Sequence, residues 1–311
     1  MKAAVLGTGF GAYHVELYSK MPQIDSIVVW GRNEEKLRDL QNKHHVETTM
    51  DMDRIWNDGK IELVDICLPN HLHKETACKA LHAGKHVFIE TPVAESLADA
   101  ETILETAEQC GRRAFVDLFV RFEYAYQYLY QVIKENKYGR LKELQVKRET
   151  PPWWGNLDRA HIGLNLMIHD MDFVIRCMGE ANHISVNGID VRKEQSLVTA
   201  CLQYEDSCAY VRGASVMPGA YPFSVGYEAV MENAVIRFYE DGCADGRTDT
   251  KLELFLAHER TEIPLPQTDC YQAALSHVIQ CLKEDAASCL AIEEAIRTLK
   301  AVLTMNQAME K

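Results

Sequence analysis

Gly7, Gly9 and Ala12, in "AAVLGTGFGAYH" (residues 3–14), follow an apolar run and precede a stretch expected to turn helical near Gly11. In a G-x-G-x-x-[G/A] turn the first glycine permits the tight bend and the second lets backbone approach a pyrophosphate. The third small residue lets the helix pack on the strand. The helix N-terminus then presents its positive dipole end to phosphates. Thr8, Phe10 and Gly11 complete the loop, so residues 7–12 are expected to cradle a dinucleotide. An ordinary glycine turn is the plainer reading, and the strand–turn–helix context weighs against it. After the next apolar run, "SIVVW", come Gly31, Arg32 and Asn33, with no acid before Glu34. An NAD site carries an acid about here for the ribose 2′-hydroxyl, whereas an arginine accommodates a 2′-phosphate. Arg32 and Asn33 therefore favour NADP(H), with NAD(H) as the alternative.

A second set of residues could move a proton. In "NLMIHDMD" (165–172), Asn165 and His169 stand four apart and share a face of an expected helix. A histidine titrating near ~6.5 suits proton transfer at neutral pH, although a lone one is more often a satisfied core residue. His71 and His73, in "LPNHLHK", follow an apolar run, and the carboxyl end of such a strand is where ligands bind. Trp153 and Trp154, in "PPWWGN", read as packing residues or as a platform for a sugar ring.

The elements that must position these residues fall into two patterns. From residue 1 to about 118, the runs "AAVLG", "SIVVW", "LVDICLP", "KHVFIE" and "RRAFVD" alternate with amphipathic stretches such as "SLADAETILETAEQC". Alternating strand and helix signals, with continuously apolar strands, predict a doubly wound parallel sheet covered on both faces. Beyond "RFEYAYQYLYQVIKEN", a helix whose aromatics read as core, strand-like runs follow one another with one clear helix near 163–178. That succession predicts an α+β domain on an open, mostly antiparallel sheet. The expected domains are 1–118 and 119–311, with the last helix packing back on the first.

Bulk properties narrow the function. The formal net charge of -13 argues against nucleic-acid binding, which needs a basic face, and against an anionic membrane surface. No apolar run reaches the ~20 residues of a membrane helix, and "KAAVLG" does not open like a signal peptide. None of the ten cysteines lies in a CxxC pair, so reduced buried thiols of a cytoplasmic protein are expected, with no metal site.

"VDICLPNHLHKETACKALHAGKHVFIETP", taken with the cradle, resembles the Gfo/Idh/MocA family, named for glucose–fructose oxidoreductase and inositol dehydrogenase. Pro69, Asn70, His71 and His73 match its "TPNHLH" loop. Ala83 to Val87 match "AGKHV", Arg121 and Phe122 match a following "RF", and 165–172 match its D-L-M-I-H-D-x-D helix. The resemblance covers nearly the whole chain. It implies a Rossmann domain and a second α/β domain, with Leu68, Pro69, Asn70, His73, Glu90, Thr91 and Arg121 toward the cofactor. It also implies His169 as catalytic histidine, with Asn165, His169 and Trp154 toward a small carbohydrate-like substrate. Homodimers or homotetramers through the second sheet are implied as well.

Two positions depart from the family pattern. Thr91 stands where the family's EKP lysine polarises the reacting oxygen, and Asn165 stands where an acid precedes the histidine. Two readings follow. The first is an oxidoreductase on a sugar, polyol or keto-sugar with His169, Asn165 and Thr91 at its catalytic centre. The second is a catalytically silent NADP-binding sensor.

Overall fold

The computed structural model describes residues 1–152 and 155–309. The chain divides into two compact units. The first comprises 1–119 with 269–296, and the second comprises 120–268 with the residues from Arg297 onward. The sequence reading kept everything after 118 in one domain. The chain instead returns 269–296, which carry a whole helix, to the first unit.

The first unit runs β1 (Lys2–Leu6), α1 (Gly11–Ser19), β2 (Ser26–Trp30), α2 (Glu34–His44), β3 (Glu47–Thr49), α3 (Asp53–Asn57) and β4 (Ile61–Ile66). A 3₁₀ turn (Asn70–Leu72) leads into α4 (His73–His82), β5 (His86–Ile89), α5 (Leu97–Cys110) and β6 (Ala114–Val116). Its sheet is parallel throughout, in the order β3-β2-β1-β4-β5-β6. This is the dinucleotide-binding order, with its switch point beside β1. Ala3 to Leu6, Leu63, Val64, Val87 and Ile89 are fully buried, because helices cover both faces of the sheet. Asn33 caps α2 by accepting from the Lys36 amide at 3.0 Å, and Ser96 caps α5 in the same way.

The second unit runs α6 (Tyr124–Lys134), β7 (Leu141–Glu149), a π-helical turn (Gly163–Met167), α7 (Ile168–Met178), β8 (His183–Arg192) and β9 (Gln195–Gln203). It continues through β10 (Cys208–Ala214), β11 (Phe223–Met231), β12 (Val235–Gly242), β13 (Thr248–Phe255) and β14 (Arg260–Ile263). In the remaining helices, α8 (Cys270–Glu284) lies within the first unit and α9 (Ile292–Met309) ends the described chain. The eight strands order as β14-β13-β12-β11-β7-β10-β9-β8, antiparallel except for β7 against β10. One face is apolar: Leu144, Val146, Ala200, Val211, Tyr227, Ile236 and Phe238 are buried. Tyr126 of α6 packs edge-on to Phe173 of α7 at 4.7 Å and to Tyr227 at 5.4 Å. The opposite face carries a trough of about 730 Å³ lined by Lys147, Arg212, Glu228, Arg237 and Tyr239.

Candidate active site

Within the first unit the loop after β1 behaves as the spacing requires. Gly7 has φ +122°, and a Cβ there would stand 2.3 Å from the Cys67 carbonyl oxygen, so only glycine fits. A Cβ on Gly9 would meet nothing within 4 Å, which leaves room over the backbone for a pyrophosphate. The close packing of helix on strand falls to Gly11, whose added Cβ would lie 3.1 Å from both Val5 and Cys67. The sequence reading had given that task to Ala12. No side chain caps the start of α1; the Ala12 and Tyr13 amides donate to the Gly9 and Phe10 carbonyls at 3.1 and 2.8 Å, so an anion would meet the helix dipole and the amides ahead of them. Phe10 stands exposed beside the loop, edge-on to Tyr271 at 5.2 Å, and Tyr271 stacks on Phe119 at 4.3 Å. Thr8 closes against Gly31, where a Cβ would lie 2.6 Å from its methyl. Arg32 is exposed, with no ion-pair partner among the described residues, while Asn33 spends its side chain on capping α2.

The loop after β4 is held by His73. This histidine is fully buried, with Nδ1 at 2.8 Å from the Pro92 carbonyl oxygen and Nε2 at 2.7 Å from that of Leu68. Both ring nitrogens face main-chain acceptors, so His73 ties Leu68 to Pro92. It does not extend a nitrogen to a cofactor, as the sequence reading had it. Thr91 likewise turns its hydroxyl inward and donates to the Asp117 carbonyl at 2.6 Å. Glu90 keeps a fifth of its side-chain surface exposed but points Oε1 at the buried imidazole of His14.

Within the second unit, His169 lies in the first turn of α7 and Asn165 in the π-helical turn before it. Two glycines permit that turn. A Cβ on Gly163 would lie 2.4 Å from Asn306, and one on Gly213 would lie 2.4 Å from Met167. Two buried ion pairs then lock α7. Asp170 accepts from Arg148 at 2.8 and 3.2 Å, and Asp172 accepts from Arg121 at 2.8 and 2.7 Å and from Thr298 at 2.8 Å. The resemblance implies Arg121 as a cofactor ligand. Its guanidinium is instead committed to Asp172, bidentate and buried. Burial pushes the His169 imidazolium down, and the Arg148 charge lowers it further, to about 3. His169 is therefore a neutral imidazole at physiological pH, not a group titrating near neutrality.

Sequence reasoning missed Arg148 and Glu149. Glu149 is buried and accepts from Arg212 and Tyr221 at 2.7 Å each; burial raises its carboxyl, but those two partners outweigh it and hold it low. The "VKRET" run carried the signal, since consecutive charges at the end of a buried strand need partners. Trp153 and Trp154 lie outside the described residues. All ten cysteines are free, and nine are half-buried rather than buried. His14, Cys67 and Glu90 bring one ligand atom each within 4.8 Å of one another. However, Cys67 Sγ lies 3.5 Å from Nδ1, which Asp65 already occupies, and Glu90 lies on the Nε2 side, so no single ring nitrogen serves both.

Residues 1–118 match the family described as "Oxidoreductase family, NAD-binding Rossmann fold", GFO_IDH_MocA. The match covers the first 118 of 311 residues and makes this part of the chain similar to the Gfo/Idh/MocA oxidoreductases. The chain is 25% identical to a 4-carboxy-2-hydroxymuconate-6-semialdehyde dehydrogenase of Sphingobium, over 50% of this chain and 54% of that one. The chain spans about half the length of several curated relatives it matches. One match runs the full length: scyllo-inositol 2-dehydrogenase (NADP(+)) IolW of Bacillus subtilis, 23% identical over 100% of this chain and 94% of that one. The fold also matches an Agrobacterium radiobacter oxidoreductase solved with NAD+, L-tartaric acid and magnesium. There the TM-score is 0.87 and identity 16%, over 100% of this chain and 96% of the other.

Proposed function

We propose that this protein is an NADP(H)-dependent oxidoreductase acting on a sugar, a polyol or the corresponding keto form. The observation that carries the reading is the cradle: a positive-φ Gly7, open space over Gly9 and an uncapped α1 N-terminus. Gly7 to Ala12 would hold the pyrophosphate, and exposed Arg32 the 2′-phosphate. Bound there, the cofactor would supply the hydride for reduction of a keto group and would take it up in oxidation of a hydroxyl. His169, kept neutral, would accept the hydroxyl proton in the oxidation direction and release it to solvent without storing it. Asn165 contributes hydrogen bonds to a substrate hydroxyl without charge. Part of the support is that the full-length B. subtilis relative is named for an inositol and for NADP(+). Dimers or tetramers through the open face of the second sheet accompany this reading.

The inward-turned Thr91 hydroxyl favours a second reading, an NADP-binding sensor without turnover. Anaerobic mixing of the chain with NADPH and a panel of keto-sugars, followed by nicotinamide absorbance, separates the two. Turnover establishes the enzyme. Tight binding with no oxidation across the panel overturns it. Gly9→Val should abolish NADPH binding at unchanged melting temperature, because the new side chain fills only the cofactor's space; normal binding by that variant removes the cradle assignment. Arg32→Ala should weaken NADPH about tenfold and leave NADH unchanged, measured by fluorescence titration, since an exposed charge-assisted contact sits at the low end of such contributions.

A further inference from the structure

Four ionisable side chains converge at the carboxyl edge of the parallel sheet, where ligands of such sheets bind. His14 comes from the first turn of α1 and Asp65 from β4; Glu90 and Asp117 directly follow β5 and β6. Because β4, β5 and β6 are neighbours, three successive strands deliver three carboxyl groups to one imidazole. His14 and Asp65 are fully buried, and Asp117 is 1% exposed. Nδ1 of His14 lies 2.8 Å from Asp65, while Nε2 faces Glu90 Oε1 at 3.3 Å and Asp117 Oδ2 at 3.8 Å. Nε2, Glu90 Oε1 and both Asp117 oxygens have no hydrogen-bond partner among the described residues. No lysine or arginine among those residues pairs with any of the three carboxyls. Cys67, Tyr18 and the Tyr271 ring complete the titratable surroundings, and burial keeps Cys67 and Tyr18 neutral.

One imidazolium cannot balance three buried carboxylates, and a buried uncompensated carboxylate takes up a proton rather than remain charged. We propose that Glu90 and Asp117 share one proton above the His14 imidazolium, and that Glu90 releases it when the cationic ring of an oxidised nicotinamide cofactor binds at this edge. The second half of this proposal rests on the cofactor reading above. Glu90 is the exchanging group because it alone of the four reaches the surface, with 20% of its side chain exposed. His14, Asp65 and Asp117 are positioning residues. The step is a proton transfer only: a Glu90 O–H bond breaks, the proton goes to solvent, the carboxylate remains, and no electron moves.

The electrostatics agree with the geometry. Burial opposes charge on His14, but Asp65, Glu90 and Asp117 outweigh it and hold the imidazolium up to about 10. Burial raises Asp117 and Glu90, and the neighbouring carboxylates raise them further against the opposing His14 charge. His14 thus stays cationic across the neutral range, and the shared proton is what titrates. Thr91 brings no ammonium to this edge, so the His14 imidazolium is the one cation that the described residues set against three carboxyl groups sharing one proton, and an arriving cation finds a cluster that is still net negative.

Infrared spectroscopy of the full chain without cofactor at pH 7 tests the first half. A protonated-carboxyl band is expected in wild type and is lost in Glu90→Gln or in Asp117→Asn; its absence from wild type overturns the proposal without any variant having to fold. Calorimetric titration in two buffers of different ionisation enthalpy tests the second half. NADP+ should release up to one proton and bind up to about tenfold tighter per pH unit, whereas NADPH should do neither. Glu90→Asp should restore the release that Glu90→Gln abolishes. NADP+ binding without proton release, or equal release with NADPH, overturns the coupling. If NADP+ does not bind, the cofactor reading and the coupling fall together, and the infrared band alone decides whether the proton is shared.

Discussion

His14 and His169 each stand in the first turn of a helix, among buried carboxyl groups, and their surroundings drive them in opposite directions. Burial weighs against the charged form of both. Around His14 the nearby charges among the described residues are carboxylates, which overcome burial and keep the ring cationic. The acid next to His169 in sequence, Asp170, is already committed to Arg148, and the guanidinium adds to the effect of burial. A carboxylate next to a histidine in sequence therefore says little about that histidine. What counts is whether the carboxylate has another partner. On the proposed reading, His14 holds charge while a neighbouring pair shares a proton, and His169 handles a proton only in passing.

The comparison can be broken most forcefully at Arg148. Arg148→Met removes one partner of a buried ion pair and leaves Asp170 uncompensated, a change worth about 3–5 kcal/mol of stability by urea denaturation. It should also let His169 titrate at higher pH, read from its imidazole resonances. An unmoved titration would show that burial alone depresses His169.

His169→Ala should lower turnover by about 10²-fold with NADPH affinity nearly intact. The wild-type kcat profile should show no inflection from His169 between pH 5 and 8, because a group lowered to about 3 stays neutral throughout that range. A limb near pH 6.5 that disappears in the alanine variant would contradict the assigned charge state.

The smallest effects are on the pH dependence of stability, and the two histidines should act on opposite limbs. His14 is raised in the folded chain to about 10, so its contribution is complete below the unfolded value and is lost as pH rises toward 10. Wild type should lose on the order of 2–4 kcal/mol more than His14→Gln between pH 7 and 10 in urea melts. His169 is lowered, so the folded state favours its neutral form, and that contribution disappears on acidification from 6.5 downward. Parallel profiles for wild type and His14→Gln at high pH would remove the imidazolium from the first unit.

Much of this protein was legible in its residues, wherever function depends on local spacing. Glycines at 7 and 9, alternating runs up to residue 118 and successive strands beyond it determined a Rossmann unit followed by a mostly antiparallel sheet. Backbone conformation and side-chain periodicity are properties of neighbours in sequence, so a pattern suffices to read them. The motifs singled out His73, Arg121 and Thr91, but the use of their polar atoms was not legible. The partners that claim those atoms, the Pro92 carbonyl, Asp172 and the Asp117 carbonyl, are chosen by packing. Only the tertiary structure joined His14 to residues 65, 90 and 117, which arrive from three different strands, and only it returned 269–296 to the first unit. Charge on a buried group depends on solvent exclusion and on neighbours distant in sequence, and neither is a function of local order.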